Sequence, residues 1–178
     1  MALTTYKDSA LFHTGPLAGE IIVSGTIAGI IGGVFMAIWA MFSSAAMGMG
    51  LLTPLSMIGS TFIGPEALVG GPGIMLYGLV LHLLVSMGFG VLFAAMVRRD
   101  TPNSASILSG IAYGMGVLLL MTFIVVPLTN QVMRDRIPLM AGSFVIQHVL
   151  FGLGVALAPV LRRIFARQRT VTPTTTAA

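Results

Sequence analysis

The sequence predicts an all-α, polytopic integral membrane protein, a bundle of four transmembrane helices. Of its 178 residues, 56% are hydrophobic and only 8% are charged, and the mean hydropathy is +1.00. A typical soluble domain carries about 25% charged residues, so this chain lacks the polar side chains to cover a water-facing surface. Long apolar runs also recur four times; the first is longer, and the other three are each close to the roughly 20 residues that cross a bilayer.

The elements follow from these runs in chain order. A polar leader covers residues 1–19, and a transmembrane domain covers residues 20–164. A basic and threonine-rich tail, residues 165–178, is expected to be disordered. The four helices are predicted at about 21–50, 74–97, 104–128 and 139–160.

The segment 51–73 is apolar but is not predicted to span. Pro54, Pro65 and Pro72, together with several glycines, interrupt it. Proline lacks the backbone N–H and disrupts helix interiors, so a loop on the membrane or partly within it is expected.

The positive charges set the orientation. With four spans, one side holds seven Lys and Arg residues and the other side holds only Arg134 and Arg136. Cytoplasmic loops carry the excess of positive residues, so both termini are predicted to be cytoplasmic. The seven are Lys7, Arg98, Arg99, Arg162, Arg163, Arg167 and Arg169.

Two similar hairpins are suggested by recurring motifs. Ser24-Gly25-x-x-x-Gly29 in the first helix matches Ser109-Gly110-x-x-x-Gly114 in the third, and His82 matches His148 in the second and fourth. Such a repeat keeps both copies in one orientation, as in some transporters. Glycines spaced four residues apart lie on one helix face and allow close packing. They are Gly25, Gly29 and Gly33 in the first helix and Gly110 and Gly114 in the third.

His82 and His148 are the candidate functional residues, because ionisable groups inside a membrane are costly. His82 precedes Arg98 by sixteen residues and His148 precedes Arg162 by fourteen, so their depths agree to about 3 Å at 1.5 Å per residue. One turn further on stand Ser86 and Gly152, small residues that leave room for a macrocycle or for close helix packing.

Three interpretations of the histidine pair remain open. In the first interpretation, each imidazole forms a hydrogen bond to a backbone carbonyl or a nearby hydroxyl and helps hold the bundle together. Alternatively, both are axial ligands of a b-type haem. The third interpretation is a copper site that combines His82 and His148 with Met47 and Met49 at the end of the first helix, since thioethers and imidazoles suit Cu(I).

Several function classes are disfavoured. There is no cysteine, which excludes disulfides and thiolate chemistry, and no hydrolase or phosphate-binding motif occurs. The arginines form no basic face, so nucleic acid is not an expected partner. No enzymatic activity is predicted.

The chain resembles a group of small bacterial four-helix membrane proteins, distantly similar to the YagU-like family. The similarity covers about residues 24–160 and implies the fold and a bacterial inner membrane, without an activity. The motifs that carry it are Ala28-Gly29-x-x-Gly32-Gly33-x-x-Met36, Gly78-x-x-x-His82, Gly88-x-Gly90, Gly110-x-x-x-Gly114, Val126-Pro127-Leu128 and His148-x-x-x-Gly152-x-Gly154.

We therefore expect a non-catalytic, accessory or structural subunit of a larger bacterial membrane complex, respiratory or otherwise energy-converting. Its expected partners are the lipid bilayer and other membrane subunits. Electron transfer through haem b, and transport of copper or another small solute, are the alternative functions.

Overall fold

The computed structural model describes residues 15–171, and within that range it contains helices and no strands. The leader up to residue 14 and the tail from residue 172 lie outside the described residues. The α-helices are α1 Gly15–Ala46, α2 Thr53–Ile63, α3 Pro72–Met96, α4 Asn103–Leu120, α5 Val126–Thr129, α6 Gln131–Arg136, α7 Ala141–Val155 and α8 Ala158–Val171. Short 3₁₀ turns at Pro65–Val69 and Ile137–Met140 and a π-helical turn at Met121–Val125 connect them.

Four stretches of the described chain are long and apolar enough to cross a membrane, which confirms the predicted number. They are Ala18–Ala46, Pro72–Met96, Asn103–Thr129 and Gln131–Gln168. The first helix begins earlier than predicted, at Gly15, and the last continues to Val171, where a disordered tail was expected from residue 165.

The interrupted segment 51–73 forms α2 and a 3₁₀ turn, and proline and glycine explain its divisions. Pro54, Pro65 and Pro72 each stand in the first turn of a helical element, where a missing N–H is harmless. Gly64 ends α2 with φ of +92°, a conformation that other residues adopt reluctantly. The segment is therefore a short helix packed on α3 rather than a fifth span.

The helices pack in the order α3, α1, α7, α4. Glycines allow these four helices to approach closely at three pairs of neighbours, α1–α3, α1–α7 and α4–α7. A Cβ on Gly29 would lie 2.3 Å from the carbonyl oxygen of Ser86 on α3, and one on Gly154 would lie 2.2 Å from the Cα of Gly32. Gly25 and Gly33 also face α3, and Gly110 and Gly114 face α7, so every glycine assigned to helix packing lies at such a contact.

One end of the bundle is held together by α8. Arg162, which is buried, donates from Nη1 to the carbonyl oxygens of Ala94 at 3.1 Å and Val97 at 2.7 Å. These carbonyls lie at the C-terminal end of α3, where no further helical N–H groups follow to donate to them. Arg163 similarly donates to Arg99 and Thr101 in the α3–α4 connection. We call this the basic end.

Candidate functional site

A cavity of about 310 Å³ lies toward the end of the bundle opposite the basic end. It is enclosed by α1, α2, α3, the π-helical turn, α5, α6 and α7, and most of its wall is aliphatic, aromatic or thioether side chains. Phe62 and Thr129, both exposed on the surface, belong to its lining, so it opens to the surroundings between α2 and α5. Its volume is at the lower end of the range of about 300–1,000 Å³ for small-molecule pockets.

Both predicted histidines line this cavity. The sequence predicted that both histidines lie at a similar depth, but depth alone does not determine the direction in which each ring points around its helix axis. The structure brings the two histidines to one cavity.

His82 is oriented by α1. Its Nε2–H donates to the carbonyl oxygen of Gly33 at 2.9 Å, which links α3 to α1. A neutral imidazole has one N–H and one lone pair, so Nδ1 of His82 is the acceptor nitrogen. This nitrogen makes no hydrogen bond to the described residues.

His148 is oriented by its own helix. Its Nδ1–H donates to the carbonyl oxygen of Phe144 at 2.8 Å, and the Phe144 ring packs against it edge-on, with centroids 4.7 Å apart. The residue is 1% exposed, and its Nε2 has no hydrogen-bond partner among residues 15–171. An unpaired buried polar atom costs about 1–3 kcal/mol, so this lone pair requires an explanation.

The small residues one turn from each histidine lie at close helix contacts. Ser86 contacts Gly29 and Gly33 of α1, and Gly152 contacts Gly110 and Gly114 of α4. Each imidazole also donates to a backbone carbonyl. Haem ligation by the pair stays a prediction.

The methionines near the histidines are not the pair predicted from the sequence. Met47 and Met49 lie in the turn after α1 and do not line the cavity. Five others do, and each comes from a different element: Met36 from α1, Met57 from α2, Met121 from the π-helical turn, Met133 from α6 and Met140 from a 3₁₀ turn.

Asn130, which sequence reasoning missed, fixes the wall formed by α2. Its Nδ2 donates to the carbonyl oxygen of Met57 and to Oγ1 of Thr61, each at 2.8 Å. Its Oδ1 accepts from Ser60 at 3.1 Å and from the Met133 N–H at 2.9 Å, which caps α6. An asparagine before a short amphipathic run is an N-cap signal, but its bonds to α2 span about 70 residues and leave no local pattern.

A second polar cluster joins α1 to α7 beside the cavity. Ser143 donates to Ser43 at 2.7 Å, while Trp39 Nε1 and Gln147 Nε2 both donate to Ser143 at 3.2 Å. Trp39 is thus engaged within the bundle, and the cluster sets the rotation of α7 that points His148 toward the cavity.

A π-helical turn shapes the remaining wall. The Val126 N–H bonds to the carbonyl oxygen of Met121, five residues earlier, and Pro127 follows without an N–H of its own. The missing donor favours a local change of helical pitch, and π turns of this kind are frequent at functional sites.

Residues 15–171 contain no group of three or more His, Cys, Asp or Glu side chains that could hold a metal ion. Comparisons with models of protein families, with curated proteins and with solved structures give no match.

Proposed function

We propose that this chain is a non-catalytic integral membrane protein that holds a small ligand in the histidine cavity. The observation that carries the proposal is that buried His148, whose Nε2 has no hydrogen-bond partner among the described residues, lines an apolar cavity of about 310 Å³ together with His82. Water alone is a poor occupant of so apolar a space, because a bound water needs two to four polar partners.

The proposed site lies within the bilayer. The exposed surface of the bundle is rich in large apolar side chains such as Phe42, Leu84, Leu108 and Phe123, which suit lipid. We infer an inner-membrane location in a bacterium, with both termini cytoplasmic and the cavity toward the outer side. The arginine distribution supports this orientation.

We further propose an accessory role within a larger membrane assembly rather than an activity of its own. Among the described residues the cavity wall includes no carboxylate, amine or thiol, and the N–H of each histidine there is engaged by a backbone carbonyl. Large apolar side chains on the bundle surface suit neighbouring transmembrane subunits as well as lipid.

We also infer that the two hairpins are copies of one unit. In the first hairpin Gly29 packs on Ser86, one turn after His82, and in the second Gly114 packs on Gly152, one turn after His148. The same small-residue contact beside each histidine supports duplication.

Native mass spectrometry of the full chain, released from detergent micelles, tests for a bound ligand. We expect a discrete additional mass on the wild type. Ala40→Leu fills the cavity and should remove that mass, whereas Ala112→Leu, on the exposed face of α4, should retain it. A ligand-free wild type, or equal occupancy in both variants, would contradict the proposal.

A further inference from the structure

We propose that the ligand of the cavity is a single Cu(I) ion, bound by Nδ1 of His82, Nε2 of His148 and one or two of the cavity methionines. This inference rests on the proposed ligand-binding function and names the ligand. It differs from the copper site suggested by the sequence, because Met47 and Met49 have no part in it.

The charge of the donors favours a soft monovalent ion. The cavity lining provides imidazoles and thioethers, and it contains no Asp, Glu, Cys, Lys or Arg side chain. Ca²⁺ and Mg²⁺ require oxygen ligands, usually with carboxylates. A divalent ion would also bring two uncompensated charges into an apolar cavity, whereas thioether and imidazole ligands suit Cu(I).

Both imidazoles have the orientation of metal ligands. A histidine that binds a metal usually donates its other ring N–H to a carboxylate or backbone carbonyl, which fixes the ring and its tautomer. His82 does so to Gly33 and His148 does so to Phe144. Each ring is therefore held by the backbone through one nitrogen, which leaves the other as the acceptor nitrogen.

The methionines are poorly explained as core filling. Methionine commonly occupies irregular gaps in apolar packing. Here the five cavity methionines come from five elements and line one cavity of about 310 Å³ together with both histidines. They supply the additional soft ligands that Cu(I) prefers.

The experiment is a competition for Cu(I) between the full-length protein in detergent and the chelator bicinchoninate, without oxygen and with ascorbate. We expect one Cu(I) per chain in the wild type. His82→Leu, His148→Leu and the double variant Met57→Leu/Met121→Leu should each weaken binding by about tenfold or more, because each removes ligands.

The matched control is Met47→Leu/Met49→Leu, which changes two methionines outside the cavity and should bind like the wild type. Trp39 fluorescence checks folding, since it is the single tryptophan and bonds α7. Met→Leu changes preserve shape, so they keep the test valid if a histidine variant misfolds.

Three results would overturn the copper proposal: a wild type that takes no Cu(I) from the chelator, histidine variants that fold and bind as tightly as the wild type, or tighter binding of Zn²⁺ than of Cu(I). If native mass spectrometry still shows an organic mass that Ala40→Leu removes, the ligand-binding function stands and only its copper assignment fails.

Discussion

Gly114 lies where the backbones of α4 and α7 approach most closely. A Cβ added there would be 2.2 Å from the carbonyl oxygen of His148, and the collision is with backbone that cannot move alone. Gly116, two residues later on the same helix, has no described atom of another helix within 4 Å of its Cβ position. The two glycines therefore form a matched pair for testing the helix contact.

We predict that Gly114→Ala destabilises the protein by about 1–3 kcal/mol, the usual cost of forcing extra volume into a packed contact. Gly116→Ala should change stability little. Titration with SDS, followed by Trp39 fluorescence, measures both. Equal unfolding midpoints for the two variants would show that α4 and α7 do not meet at this glycine.

Asn130 is the residue on which the wall formed by α2 depends. Asn130→Ala removes the cap of α6 and the side-chain bonds from Asn130 to Met57 and Thr61 of α2, although Ser60 still donates to the Met57 carbonyl. We predict that the free energy of unfolding falls by about 1–3 kcal/mol, since a cap contributes about 1 kcal/mol and each lost hydrogen bond about 0.5–1.5.

Hydrogen exchange separates this effect from general destabilisation. In Asn130→Ala, the amides of residues 53–63 should exchange faster than those of α1, because α2 loses its attachment first. Thr129→Val is the control, since the Thr129 hydroxyl bonds only within its own helix, to Val125. Uniform acceleration across the bundle would contradict the attachment.

At the level of elements, α8 stabilises the end of α3. Buried Arg162 supplies hydrogen bonds to two carbonyls that the helix leaves open, so the arginine that indicated topology in the sequence also has a structural role. Arg98, at the same end of the bundle, is 85% exposed and pairs only with Asp100. The two arginines differ in burial while sharing charge and location.

We predict that Arg162→Met destabilises the bundle by about 1.5–3 kcal/mol, the range for hydrogen bonds to a charged group. Arg98→Met should have little effect, since exposed ion pairs contribute weakly. The SDS midpoint of each variant is the measurement. If Arg98→Met proved the more damaging, the end of α3 would not depend on α8.

For the whole molecule, hydropathy predicted the number of spans because each exceeds the length that a bilayer requires. It did not predict the break between α7 and α8, which falls inside the helix expected at 139–160. This break lies in an apolar stretch just before Pro159, which has no backbone N–H to donate to α7.

The cavity was less predictable than the fold. The two histidines were identified because a polar residue in an apolar run is conspicuous. Their common facing direction depends on the Gly29–Ser86 and Gly114–Gly152 contacts, which join distant parts of the chain. The five cavity methionines could not be separated from the other methionines without those rotations.

The orientation of the whole molecule can be tested cleanly because the chain has no cysteine of its own. Asp100→Cys and Asp135→Cys place single thiols at exposed positions on opposite ends of the bundle. With seven positive residues on one side and two on the other, Asp100 should face the cytoplasm.

In intact cells, a membrane-impermeant maleimide should label Cys at position 135 but reach position 100 only after permeabilisation. The reverse pattern would move the cavity to the cytoplasmic side, because Asn130, Met133 and Met140 in its wall adjoin the Asp135 end. Labelling of both thiols from outside would contradict a bundle in which α3 and α4–α5 each cross the membrane.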